Sequence, residues 1–191
     1  MDIQLIPKKI DGVFEVVPGE FRDQRGFIRR LYDKNTLQKV FSGNLEMVQA
    51  SLLKSAKKNT MRGLHVSLPP TMEGKLVVGL SGRMQWITLD LRKDSPTFGI
   101  WDSTILSADK NNGIAVVKGF AHGCVSLEDG TSVLAFADTA FSNVVGTGIR
   151  WDDPELKVGW EIGDTEPIIS EGHKAYGSFK EFKEKYGAVS I

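Results

Sequence analysis

The sequence predicts an all-β protein, a sandwich or barrel of about ten short strands. Three observations predict it. Short runs rich in Val, Ile, Leu, Phe and Thr recur along the chain, each ended by Gly, Asp, Asn, Pro or Ser. Turn residues are plentiful, with 20 glycines in 191 residues. Helix signals are confined to two short stretches. No internal repeat, low-complexity segment or linker divides the sequence, so residues 1–191 are read as a single domain.

In chain order, Val13 to Val17 is the first expected strand, ended by Pro18-Gly19. Gly26 to Tyr32 is the second and Leu45 to Leu53 the third. Between them Asn35-Thr36-Leu37-Gln38 fits a capping box, with Asn35 as N-cap, starting a short helix that ends near Phe41 before Gly43. Leu76 to Leu80 and Met84 to Leu91 flank Ser81-Gly82, an expected hairpin turn. Ile100 to Leu106 and Ile114 to Val117 add two strands. Ala121 to Leu127 and Ser132 to Phe136 flank Asp129-Gly130, the stronger hairpin signal because glycine tolerates the positive φ of a type I′ turn. Ser178 to Glu181 fits a second capping box, starting a C-terminal helix around 179–186 that ends before Gly187 and docks through Phe179 and Phe182.

Composition excludes several classes. The 24 basic and 24 acidic residues cancel to a net charge of +0, which argues against a nucleic-acid binder. The single cysteine, Cys124, cannot form an internal disulfide. No apolar run approaches the roughly 20 residues of a membrane span. The start, Met1-Asp2-Ile3-Gln4, lacks the basic-then-apolar plan of a signal peptide, so a soluble cytoplasmic protein is expected.

Six short motifs follow one another in order. They are Arg62-Gly63-Leu64-His65, Lys75-Leu76-Val77, Asp90-Leu91-Arg92, Ser95-Pro96-Thr97-Phe98-Gly99, Gly119-Phe120-Ala121-His122-Gly123 and Trp151-Asp152-Asp153-Pro154. Phe21, Asp23, Arg25-Gly26 and Phe27 precede them. This order, from about Phe14 to His173, resembles the dTDP-4-dehydrorhamnose 3,5-epimerase family. The resemblance implies a cupin-type β-sandwich or jelly-roll barrel, a homodimer, no metal or other cofactor, and a nucleotide-diphospho-4-keto-6-deoxyhexose as substrate. Epimerisation beside a ketone needs a base poised near neutral pH, an acid across the ring and a positive donor at the enolate oxygen. The diphosphate needs cations.

By the resemblance His65 is the base, suited to it by an ordinary pKa of about 6.5. Lys75 lies near the sugar keto oxygen, and strand alternation puts Lys75 and Val77 on one face, Leu76 and Val78 on the other. Arg62 and His122 match diphosphate-side positions, Gln49 a polar substrate contact, and Arg25 an arginine that reaches the partner subunit's ligand. Arg62 and His65 are an odd number of residues apart, so a regular strand would point them oppositely. A twist or bulge at Gly63 would reconcile them, as would an Arg62 reaching round the edge.

The departures from the family pattern fall at the chemistry. Ser170-Glu171-Gly172-His173 puts His173 where the family carries the aspartate that orients the base, with Glu171 as a nearby alternative carboxylate. Ala135 or Phe136 stands at the position of the family's acid tyrosine, Ala135 being favoured, with Phe141 further on. Trp86 stands in place of an aspartate and Glu73 in place of a glutamine. Asp152-Asp153-Pro154 reads equally well as a turn before a strand. Three readings follow: an epimerase with altered proton delivery, an isomerase-type step on a related nucleotide sugar using His65, Lys75 and His173, or a non-catalytic nucleotide-sugar binder. A metal set of His65, His122 and His173 with Glu73 or Glu171 is a further alternative, weakened by the missing His-x-His pair.

Overall fold

The computed structural model describes residues 2–41, 46–141 and 145–191. The strands are β1 (Gln4–Pro7), β2 (Val13–Val17), β3 (Gly19–Asp23), β4 (Gly26–Arg30), β5 (Gln49–Ser55), β6 (Met61–Leu68), β7 (Lys75–Ser81), β8 (Arg83–Asp90), β9 (Trp101–Ser107), β10 (Gly113–Val116), β11 (Phe120–Ser126), β12 (Thr131–Ala137) and β13 (Val145–Gly148). The short helices are α1 (Lys34–Leu37), α2 (Glu171–Lys174) and α3 (Phe179–Tyr186). Every named strand pairs antiparallel. A six-stranded sheet runs β1-β2-β10-β7-β12-β5 and a five-stranded sheet runs β13-β6-β11-β8-β9, while β3 and β4 form a separate hairpin. The all-β sandwich read from the sequence is the architecture found.

The two sheets face each other across a core of Val13, Val77, Ile114 and Val133 from one and Met84, Trp86, Leu106, Phe120 and Cys124 from the other. Each outer face is also covered. Leu37 and Phe41 lie over Leu76, Val78 and Ala115 of the six-stranded sheet. Leu156, Phe179, Phe182 and Val189 lie over Leu64, Val66, Ile87 and Leu89 of the five-stranded sheet. Double coverage explains why β11 is buried throughout and β8 from Met84 onward, with no polar alternation.

Both expected hairpins are corrected. Ser81-Gly82 and Asp129-Gly130 do turn, with Gly82 at φ +62° and Gly130 at φ +70°. Each turn nevertheless passes the chain from one sheet to the other, because β7 pairs with β10 and β12 while β8 pairs with β9 and β11. A tight turn sets local backbone geometry; the buried faces of the flanking strands choose the partners. The first helix is capped by Asp33, whose carboxylate accepts from the Thr36 N–H, and not by Asn35. Its expected stop, Gly43, and the expected strand start, Leu45, lie outside the described residues. The strand expected over Gly26 to Tyr32 ends at Arg30, and the Asp-Asp-Pro turn leads into further turns with no strand directly after it. The Ser178/Glu181 capping box forms as expected. Among the described residues no helix is long and apolar enough to cross a membrane.

Asp153 ties the C-terminal segment down. It is 2% exposed, accepts the N–H groups of Glu155 and Leu156 at 3.0 Å, and accepts that of Phe179 in the first turn of α3 at 2.8 Å. Asp153→Ala should therefore lose about 2–4 kcal/mol of stability in urea denaturation, the scale for several hydrogen bonds to a buried charge. A loss below about 1 kcal/mol would show that α3 is held by its apolar face alone.

Candidate active site

Strand β6 carries Arg62 and His65 on the same side. On β11, Cys124 pairs with Arg62 and His122 with His65, so three steps on β6 answer two on β11. The extra residue is a bulge at Gly63, at φ +97°. A side chain there would run into the carbonyl oxygen of His122, so the position requires glycine. The bulge reconciles the odd spacing, and both side chains line one cavity of about 420 Å³ between the sheets.

The same cavity receives Gln49 from β5, Lys75 from β7, Glu73 just before it, His122 from β11 and His173 from α2. Seven of the eight residues expected at the site therefore meet. Arg25 does not: it sits at the tip of the β3–β4 hairpin, its side chain 78% exposed and paired with Asp23 at 2.6 Å. Glu171 does not line the cavity and pairs with Lys174 at 2.7 Å, which removes it as a substitute partner for His65. Ala135 faces the inner core, whereas Phe136 belongs to the outer cluster and stacks on Tyr32 at 5.6 Å.

Several contacts were invisible in the sequence. Tyr176, just past α2, lines the cavity with its ring centroid 5.2 Å from that of His173. Gly146 and Gly148 on β13 make room for these rings: a Cβ at Gly146 would stand 2.8 Å from His65 Nε2, and one at Gly148 would collide with the Tyr176 ring. His173 Nδ1 accepts the N–H of Gly63 at 3.4 Å, bracing the bulge. Gln49 is engaged at both ends of its amide, donating to Ser51 Oγ at 3.2 Å and accepting the Phe141 N–H at 3.0 Å.

The electrostatics favour neutral imidazoles. Burial lowers the pKa of His65, and Lys75 and His173 lower it further while Glu73 opposes them. Burial pushes His122 well down, aided by Lys75 and His65. His173 is lowered by burial and by Arg62. Burial pushes the Cys124 thiol up to about 12, so no thiolate forms near neutrality. Lys75 Nζ pairs with Glu73 Oε1 at 2.5 Å. Arg62 Nε, Trp86 Nε1 and both ring nitrogens of His122 are buried without a hydrogen-bond partner among the described residues. Buried polar atoms are normally satisfied, so these four are unusual; the Arg62 and Trp86 nitrogens are donors, while a neutral His122 ring offers one donor and one acceptor. Among the described residues no three His, Cys, Asp or Glu side chains converge as a metal set.

Fold and site together define a cupin-type sandwich whose inner cavity combines neutral imidazoles with fixed cations. The chain belongs to the dTDP-4-dehydrorhamnose 3,5-epimerase family, whose model matches residues 7–181. The dTDP-4-dehydrorhamnose 3,5-epimerase of Salmonella typhimurium is 34% identical over 167 residues, 87% of this chain and 91% of its own. A crystal structure of the Bacillus anthracis enzyme of that name, with TDP and pyrophosphate bound, shares 34% identity and a TM-score of 0.86 over 93% of this chain and 99% of its own. The Legionella pneumophila enzyme in complex with dTDP-4-keto-L-rhamnose shares 25% identity and a TM-score of 0.89 over 100% of this chain and 99% of its own.

The lowered imidazole pKa values set a pH dependence of stability. Below about pH 6.5 the unfolded chain takes up protons that the folded histidines resist, so stability falls as pH drops through that value and is fully present above it. Thermal melts from pH 7.5 to 5 should show this fall, with a shallower slope in His122→Gln. Equal slopes would mean that His122 is not held neutral by the fold.

Proposed function

We propose that this protein epimerises a nucleoside-diphosphate 4-keto-6-deoxyhexose at C3, C5 or both, in deoxysugar synthesis for surface polysaccharide. The observation that carries the reading is the placement of the His65 imidazole and the Lys75 amine on facing sheets of one cavity. His65 removes the proton from a carbon beside the C4 ketone, and Lys75 stabilises the enolate oxygen that forms. Lys75 keeps donor capacity for this, since an ammonium has three N–H groups and Glu73 takes one. Arg62 and His122 line the same cavity and bind the diphosphate, Arg62 through its guanidinium charge and His122 through its single ring N–H. Thymidine is the favoured base, on the strength of the ligands named for the relatives.

Gln49 acts at the mouth, where its amide holds the Phe141 backbone. His173 supports the base by bracing the Gly63 bulge from which His65 projects. We place the enzyme in the cytoplasm with its nucleotide substrate, as a homodimer in which the β3–β4 hairpin delivers Arg25 to the partner's cavity. Support for that assembly comes from Phe21, Phe27 and Ile28, which are 54%, 52% and 61% exposed on the hairpin. Apolar side chains so displayed on a strand pair fit a covered surface. Light scattering at micromolar concentration should give a dimer, and Arg25→Ala should weaken dTDP binding about tenfold, the scale of a lost charged hydrogen bond. A monomer that binds dTDP unchanged by Arg25→Ala would refute both.

The reaction itself is tested by proton NMR in deuterated water with dTDP-4-keto-6-deoxyglucose. Deuterium should enter at C3, C5 or both, and His65→Asn should abolish its entry. Exchange in His65→Asn at the native rate would remove His65 as base. No exchange in the native protein, with binding intact, would favour a binding protein instead.

A further inference from the structure

His65 works in a cavity with an uneven charge balance. From its own strand it is faced by Arg62, from β7 by Lys75, from β11 by His122, and from the α2 segment by His173 and Tyr176. Every one of these is cationic or neutral in the working state. Strand β13 brings Gly146 against the ring. Among the described residues lining the cavity, the one carboxylate is Glu73. When His65 accepts a proton the cavity gains a further positive charge, and a low-polarity interior makes that charge costly.

Glu73 is built into the wall. It is 5% exposed, its N–H donates to Ser67 Oγ at 3.2 Å, and its Oε1 holds Lys75 Nζ at 2.5 Å. Gly74 between them has no room for a side chain, because its Cβ would stand 2.7 Å from the Phe41 ring. The Gly74 N–H donates to Asp138 Oδ1 at 2.8 Å, and Asp138 pairs with Lys118 at 3.3 Å, so the backbone of the Glu73-Gly74-Lys75 segment is tied between Ser67 and Asp138. We propose that Glu73 is a positioning residue for proton transfer: it holds the Lys75 ammonium in the wall facing His65 and is the anion against which His65 becomes protonated. The proposal rests on His65 being the base.

The direction of the His65 shift supports this assignment. Lys75 and His173 push the imidazole toward its neutral form and Glu73 opposes them. A glutamine at this position would still accept a hydrogen bond from Lys75 but would carry no charge. Lys75 would then act on His65 unopposed. The base would weaken, and the ammonium would lose the partner that makes its burial tolerable.

Ring 15N–1H NMR of the ligand-free protein tests the charge directly. In Glu73→Gln the His65 titration should move down by about one pH unit, the scale for losing a nearby opposite charge. Glu73→Asp keeps the charge on a shorter arm. In it His65 should titrate within about 0.3 unit of the native value, while deuterium entry slows as Lys75 is displaced. An unmoved His65 in Glu73→Gln would overturn the proposal, as would a fall in Glu73→Asp as large as that in Glu73→Gln. Deuterium entry into the nucleotide sugar gives the second readout: Glu73→Gln should lower kcat about tenfold and shift its acid limb to lower pH, with KM little changed. The titration needs no substrate, so the two ideas fail separately. A His65 shift without any exchange in the native protein would sink the epimerase reading and keep the role of Glu73 in the charge balance. Exchange that is indifferent to Glu73→Gln would do the reverse.

Discussion

One extra residue in β6 decides which side chains the cavity contains. Without the bulge at Gly63, Arg62 and His65 would alternate to opposite faces, and one of them would enter the apolar layer that Leu64 and Val66 form with the C-terminal segment. The distortion is held from three directions. His173 accepts the freed Gly63 N–H, Leu64 and Ile149 exchange backbone hydrogen bonds at 3.1 and 2.9 Å, and Trp160 fills the space over Gly123 opposite. All three braces belong to residues after 148, the segment that Asp153 fastens to α3. The geometry of a catalytic pair in mid-chain thus depends on how firmly the last forty or so residues are packed.

Packing also sets the chemistry of the histidines. The double-layered cover that buries β8 and β11 removes water from behind the cavity wall, and the desolvation this causes is the largest influence on His65, His122 and His173 alike. A neutral imidazole is able to accept a proton, so burial prepares the base. It also weakens that base, because the imidazolium it must become is disfavoured by the same burial and by Lys75. Glu73, the one carboxylate among the described lining residues, works against that penalty.

Much of this was legible in the sequence because local chemistry carried it. Strand positions followed from apolar runs, the shared face of Lys75 and Val77 followed from alternation, and the Ser178 box stated the start of α3. What failed to read is what depends on distant partners. Ser81-Gly82 and Asp129-Gly130 look like hairpins and are corners between sheets, since a turn says nothing about which neighbour a doubly buried strand will choose. Gly146 and Gly148 lie against the His65 and Tyr176 rings, and only the pairing of β13 with β6 reveals it. Glu171 stood close enough in the sequence to be an alternative carboxylate for the base, but it pairs with Lys174. Arg25 was read from the motif alone, and a single chain leaves it on the surface.

The two walls of the cavity are not equivalent, and this bears on how inversion is completed. His65, Arg62, His122 and Trp86 belong to the five-stranded sheet. Tyr176 sits on the same side, because its ring lies over Gly148, which pairs directly with His65. The tyrosine that lines this cavity is therefore beside the base and not across the sugar from it. The opposite wall offers Leu53, Ala135 and Ala137, with Lys75 and Glu73 as its only ionisable groups among the described lining residues. Proton removal and return on one face need nothing beyond His65. Return on the other face needs a donor from the Lys75 side or from solvent entering beside the small Ala135 side chain. Exchange and inversion are thus separable steps in this architecture: the first is set by the wall that carries the bulge, the second by the opposite wall, where the Ala135 side chain offers no donor.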